Sequence, residues 1–202
     1  MHSSHSAELP PSPLQRLTAF FQALGEDQSV IVAFSGGVDS SVVASVASQT
    51  LGPLRVTAVF FDTPLVSDED RAWAHRIANE AHLVLEVIDF DPLIIEAVRY
   101  NRADRCYRCK YALMSILLDT YPEALICDGT NADDDPARRP GIRALAELGI
   151  ASPLRDCALS KDEVRAIARA LGLSNADRPS MPCRAVTLPA DTPIVREALQ
   201  QA

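Results

Sequence analysis

The sequence predicts an open α/β fold: a doubly wound parallel sheet covered by helices on both faces. Three observations carry this. Strand-length apolar runs alternate with helical stretches; the runs are continuously apolar and β-branched, as strands buried on both faces must be; and a glycine-rich turn joins the first run to the helix after it.

Taken in order, residues 14–24 have the spacing of an amphipathic helix, and Ser29-Val30-Ile31-Val32-Ala33-Phe34 is the first strand. After the turn, residues 42–46 suit a helix, 55–61 a strand, 67–82 a helix opening with Ser67 and Asp70 at capping spacing, and 83–88 a strand. The pattern repeats with a helix over 105–121, a buried strand over 124–127, a helix over 140–148, and a helix over 160–171 whose Ser160 and Glu163 form a capping box. No internal repeat is present. The polar, proline-containing residues 1–12 are expected to be a disordered tail, residues 13–175 a nucleotide-using domain, and 176–202 a loop with the start of a short C-terminal region.

Composition narrows the function. A chain of 202 residues with 48% hydrophobic content supports one sizeable core. No apolar run approaches the roughly 20 residues of a membrane span, and the first residues lack the basic start and apolar stretch of a signal, so a cytoplasmic protein without membrane contact is expected. A net charge of −8 disfavours a surface built to grip nucleic acid. A small-molecule substrate is expected instead. The five cysteines are an odd number, and in a reducing compartment each is weighed alone.

The turn reads Ser35-Gly36-Gly37-Val38-Asp39-Ser40-Ser41. Gly36 and Gly37 are expected to allow positive φ and close approach of backbone N–H groups to an anion; Ser35, Ser40 and Ser41 add hydroxyls, and the helix N-terminus adds its positive end. Phosphate is the guest such a turn suits. Neither a Gly-Lys-Ser/Thr nor a G-x-G-x-x-G spacing is present.

This SGGVDSS stretch resembles the pyrophosphate-binding loop of the ATP pyrophosphatases, a group that includes GMP synthetase, NAD synthetase, asparagine synthetase and RNA thiolases. The resemblance implies an adenine nucleotide α-hydrolase-like, Rossmann-like fold. It also implies a reaction in which ATP is cleaved between its α- and β-phosphates and a substrate oxygen takes the AMP. Asp39 is then expected to help hold Mg²⁺. Four further stretches, NRADRCYRCK (101–110), DGTNADD (128–134), RPGIRALAELGIASPL (139–154) and DRPSMPC (177–183), resemble the LarE-type sulfur transferases across about residues 14–195.

That family implies ATP-dependent adenylation of a carboxylate on pyridinium-3,5-biscarboxylic acid mononucleotide, in nickel-pincer cofactor biosynthesis. A cysteine then attacks, donates its own sulfur and becomes dehydroalanine. The family's cysteine falls on Cys183, and its nucleotide loop on Asp128, Gly129 and Asn131, with Asp133 and Asp134 as metal-contact candidates beside Asp39. A homo-oligomer is also expected. From the residues alone, Cys183 lies in a segment without helical period, and Arg178 and Arg184 are expected to favour its thiolate. Cys127 reads as core and Cys157 as undecided. Cys106 and Cys109 form a C-x-x-C pair without a second pair, so a [4Fe-4S] cluster, held by some relatives, ranks below a structural role.

Two departures stand out. After Cys183 the chain reads RAVTLPAD where the family continues with a small or apolar residue and Ser-Arg, and it stops some tens of residues early. A truncated product, a divergent paralogue or half of a split enzyme would each explain that. The alternatives to sulfur transfer are an amidating ligase, for which no glutaminase-like segment is present, an RNA thiolase, which the charge disfavours, and a non-catalytic nucleotide-binding paralogue.

Overall fold

The computed structural model describes residues 10–199. The expected tail over 1–12 therefore falls mostly outside the described residues; within them, Ser12 already belongs to the fold. Its side chain accepts from the Gln15 N–H, Gln15 returns the bond to the Ser12 N–H, and Pro13 sits at the first helical position of α1 (Pro13–Gln22).

Strand β1 (Val30–Ala33) leads into α2 (Val38–Leu51), β2 (Val56–Asp62), α3 (Asp68–Glu80) and β3 (Val84–Asp89). The chain continues through the one-turn α4 (Glu96–Arg99), α5 (Arg105–Thr120), β4 (Leu125–Cys127), α6 (Gly141–Glu147), the one-turn α7 (Pro153–Asp156), α8 (Lys161–Ala170) and the one-turn α9 (Arg196–Leu199). The four strands are parallel in the order β3-β2-β1-β4. This is the expected doubly wound sheet. The chain winds outward from β1 through β3, then returns to the other side of β1 to lay down β4, so the strand order reverses beside β1, where open α/β sheets bind ligands.

Alternation along the strands splits the core into two layers. Val30, Val32, Val56, Ala58 and Phe60 pack with Leu17 and Phe21 of α1, Val42, Val43 and Val46 of α2, and Val164 and Ile167 of α8. Ile31, Val59, Phe61 and Ile126 face the other way, onto Met114 and Leu117 of α5 and Leu145 of α6. A third cluster, Leu65, Val98, Ala185, Ile194 and Leu199, seats the chain's last described stretch against α4.

The predicted caps form. Ser67 accepts from Asp70 N at 3.0 Å, and Ser160 and Glu163 make the reciprocal box that starts α8. Glu163 also meets Arg16 of α1 at 2.6 Å. That start matters, because Lys161 is the first residue of α8.

Candidate active site

The turn after β1 is held from inside. Gly36 has φ +72°, and a Cβ there would lie 2.6 Å from Ala74 Cα in α3, so glycine is required twice over. Gly37 departs from expectation: its φ is −74° and a Cβ would meet only the Ser35 hydroxyl, at 3.3 Å. The Ser40 and Ser41 hydroxyls donate to the Gly37 carbonyl at 3.2 and 2.8 Å, closing the first turn of α2. The loop after β4 lies against this turn. A Cβ on Gly129 would sit 2.7 Å from the Ser40 nitrogen, so only glycine lets the two backbones approach.

Asp128, 3% exposed, accepts from Thr130 N (3.1 Å), Thr130 Oγ1 (2.6 Å) and Ser152 Oγ (2.8 Å), with Lys110 Nζ at 3.9 Å. Asn131 Nδ2 donates to Asp39 Oδ1 at 3.2 Å, and Lys161 Nζ is ion-paired to the other oxygen of Asp39. The two further acidic candidates part company. Asp134, buried, accepts from Asn131 N and pairs with Arg139 at 2.8 Å, whereas exposed Asp133 accepts from Lys161 N at 2.7 Å and so serves the start of α8. Asp39 and Asp134 line one cavity with Asp128; Asp133 does not.

A second cavity of about 390 Å³, of the size that holds a small ligand, has Ser35, Gly37 and Asp39 on one side and Lys110, Arg139, Arg178 and the 179–183 stretch with Cys183 on the other. The nucleotide turn and the candidate nucleophile thus share one space. The expected arginines are not the partners of Cys183, although Arg178 lines the same cavity. Arg178 is committed to Asp70 at 2.9 Å, to Glu69 and to the face of Trp73, and Arg184 lines a separate cavity with Asp62, Arg71 and Arg196. Cys183 is exposed as a residue, yet desolvation of its sulfur holds the thiol above its ordinary range, opposed first by the Ala185 backbone N–H and then by Arg105 of α5, the cation that favours its thiolate.

Cys106 and Cys109, expected to be structural, come to the same place. Cys109 packs by Ala185, and burial, then the charge of Cys183, pushes its thiol up to about 11. Cys106 raises Cys183 in turn and lines the cavity with Asp39 and Lys110. Among the described residues, however, no three His, Cys, Asp or Glu groups stand together as metal ligands. Cys127 is core as expected, its thiol raised by burial and by Asp128. Cys157 Sγ donates to the Arg16 carbonyl at 3.5 Å, a structural contact.

Asn101 straps the cysteine segment down. Its Nδ2 lies 3.3, 3.0 and 2.8 Å from the carbonyls of Ala185, Leu188 and Pro189, and its Oδ1 accepts from Arg105 at 2.6 Å. It is 1% exposed and sits at φ +51°, a conformation asparagine tolerates. Asn101→Ala should cost roughly 1–3 kcal/mol and make the chain cleavable near residues 183–190, read by thermal melting and limited proteolysis. An unchanged digestion pattern would contradict the strap.

A parallel sheet with a glycine-rich turn at its reversal point, faced by lysines and arginines, is the frame in which open α/β proteins hold anionic ligands. The NAD synthase family profile matches residues 15–106. A solved NH₃-dependent NAD synthetase from Campylobacter jejuni superposes with a TM-score of 0.61 over 85% of this chain and 78% of that one, at 19% identity, a likeness of fold. An uncharacterized protein of Synechocystis sp. is 36% identical over 94% of this chain and 70% of its own length. The pyridinium-3,5-bisthiocarboxylic acid mononucleotide synthase of Lactiplantibacillus plantarum is 35% identical over 76% of this chain, which spans 56% of that protein. The chain thus carries an NAD synthase-family domain of the PP-loop superfamily, and it is similar to the bisthiocarboxylate synthase over just over half of that protein's length.

Proposed function

We propose that this chain is an ATP-dependent sulfurtransferase: it adenylates a carboxylate of a pyridinium dicarboxylate mononucleotide, releases pyrophosphate, and transfers the sulfur of Cys183 in a nickel-pincer pathway. The observation that carries this reading is the single cavity that holds both the SGGVDSS turn and Cys183. Its likeness to the bisthiocarboxylate synthase supports the substrate class.

The residues divide the work. Amides at the start of α2 and the Ser35 hydroxyl cradle the β- and γ-phosphates. Asp39 and Asp134, two carboxylates on one wall, suit a cation that takes one or two protein oxygens and completes its shell with phosphate and water. Mg²⁺ held there would neutralise phosphate charge. Lys110 and Arg139 face the same space and offset charge on the substrate's carboxylates. The Cys183 thiolate attacks the acyl-adenylate carbon, AMP leaves, and a thioester links enzyme to substrate. Removal of the Cα proton then breaks the Cβ–S bond, releasing a thiocarboxylate and leaving dehydroalanine.

Pyrophosphate release tests the first half. It should require the dicarboxylate mononucleotide as well as ATP, and should disappear when EDTA removes the metal. Equal release with ammonia as acceptor and no mononucleotide would point instead to an amidating ligase. A second reading draws on the meeting of Cys106, Cys109 and Cys183, which would suit a sulfur carrier held between three thiols. In this structure the trio does not stand at ligating spacing, so no step is drawn through a cluster. An iron–sulfur absorbance in anaerobically prepared protein, lost on Cys106→Ser with Cys109→Ser, would favour it.

A further inference from the structure

Asn175 stands outside every motif that marks the nucleotide site, yet it reaches that site from below. Its side chain is fully buried. Nδ2 donates to the Gly36 carbonyl at 2.8 Å and to Ser41 Oγ at 3.0 Å. A carbonyl can only accept, so the amide nitrogen, not the oxygen, must face Gly36.

Peptide geometry gives these bonds a direction. In a trans peptide the C=O of one residue and the N–H of the next point opposite ways. Holding the Gly36 carbonyl inward therefore turns the Gly37 N–H the other way, where it donates to Ser35 Oγ at 3.3 Å beside the cavity that both residues line. Ser41, which accepts from Asn175, donates to the Gly37 carbonyl at 2.8 Å, adding to the Ser41 N–H and Ser40 hydroxyl that hold the same carbonyl and leave the Val38 N–H facing the other way. One peptide of the turn is thus aimed directly by a buried side chain, and the next is braced by it through Ser41.

The arrangement is poor for stability. Asn175 Oδ1 is buried without a hydrogen-bond partner, an arrangement that an apolar residue of similar shape would avoid. A buried acceptor left unsatisfied, two bonds from the turn it supports, marks a residue placed for geometry. It also stands where the cysteine segment begins: Arg165 donates to the carbonyls of Ala176 at 2.7 Å and Arg178 at 3.2 Å, anchoring the next residues of the same stretch.

We propose that Asn175 is a positioning residue that orients the Gly36–Gly37 peptide, and braces the next one through Ser41, to receive the β- and γ-phosphates, joining the nucleotide turn to the start of the Cys183 segment. This rests on the ATP-binding reading above.

The test compares inorganic pyrophosphate, ATP and AMP binding to the full chain and to Asn175→Ala and the isosteric Asn175→Asp. Losing both bonds should weaken pyrophosphate and ATP roughly tenfold or more, leave AMP within about twofold, and shrink the pyrophosphate-induced rise in melting temperature. Asn175→Asp presents a carboxylate to the Gly36 carbonyl and should bind pyrophosphate more weakly still as pH rises through its titration, while the parent protein stays flat over that range. Should the alanine variant fail to fold, the aspartate variant's pH dependence decides alone. Equal loss of AMP and pyrophosphate, or unchanged affinity for all three, overturns the assignment of Asn175. If the unaltered chain binds neither ATP nor pyrophosphate, the nucleotide reading itself falls.

Discussion

Gly36→Ala should abolish pyrophosphate release, with a loss of at least 100-fold. A non-glycine residue at φ +72° costs about 1–2 kcal/mol from backbone sterics alone. The larger obstacle is Ala74, whose Cα and N would lie 2.6 and 2.8 Å from the new methyl. Both belong to the backbone of α3, and Ala74 is itself in the core, so the turn must move and not the helix. Each 1.4 kcal/mol of misplacement is about tenfold in rate, and a displaced turn loses several phosphate contacts at once. Gly37→Ala is the control. With φ −74° and only the mobile Ser35 hydroxyl 3.3 Å from the added Cβ, it should lose less than about tenfold. A Gly37 variant worse than the Gly36 variant would contradict this account of the turn.

Cys183→Ser should separate the two halves of the reaction. Adenylation precedes sulfur attack, so pyrophosphate release should persist while thiolated product falls to nothing detectable. The intact protein adds a pH signature. The thiol of Cys183 is held above its ordinary range by packing, with Cys106 adding to the rise and Arg105 opposing it. A raised thiol pKa leaves little thiolate near neutrality, so sulfur transfer should climb as pH rises toward and past the usual thiol value of about 8.5. Pyrophosphate release should not follow that climb. Arg105→Gln should move it further alkaline. Product formation by Cys183→Ser at the parent rate would remove Cys183 from the reaction.

The sheet was legible because its signal is local. Val30 to Val32 is a continuous apolar run and Val56 to Phe61 one broken only by Thr57, as suits strands covered on both faces, and Ser67, Ser160 and Glu163 mark helix starts within four residues. The one-turn helices at 96–99, 153–156 and 196–199 are too short to show a period. In the site, SGGVDSS and DGTN announce themselves, whereas Lys161 and Asn175 lie outside every quoted stretch and Lys110 and Arg139 lie at the ends of theirs with nothing to mark them as facing the turn. They matter because distant elements converge, and spacing along the chain does not encode that.

The arginine error has the same root. Cys183 is extended, at φ −64° and ψ 150°, so a residue beside it in sequence points elsewhere in space, and Arg184 faces a different cavity. The cation that counts arrives from α5, 78 positions earlier as 183 minus 105. The pairing of Asp39 with Lys161 was equally hidden, since the two are 122 residues apart. For Cys106 and Cys109, sequence showed a half-set of ligands; the strap from Asn101, the Arg184 N–H bond to Leu65 and the cluster around Ala185 bring Cys183 to their side.

Intact-mass measurement of the chain before and after one round of product formation tests the central claim most directly. With ATP, Mg²⁺ and the pyridinium dicarboxylate mononucleotide, conversion of Cys183 to dehydroalanine removes H₂S, so the protein should become lighter by about 34 Da in step with product. Peptide mapping should place the loss at residue 183, and omission of ATP should prevent it. Product accumulating beyond one equivalent per chain while the protein mass stays constant would contradict the account and leave a PP-loop enzyme that draws its sulfur from elsewhere.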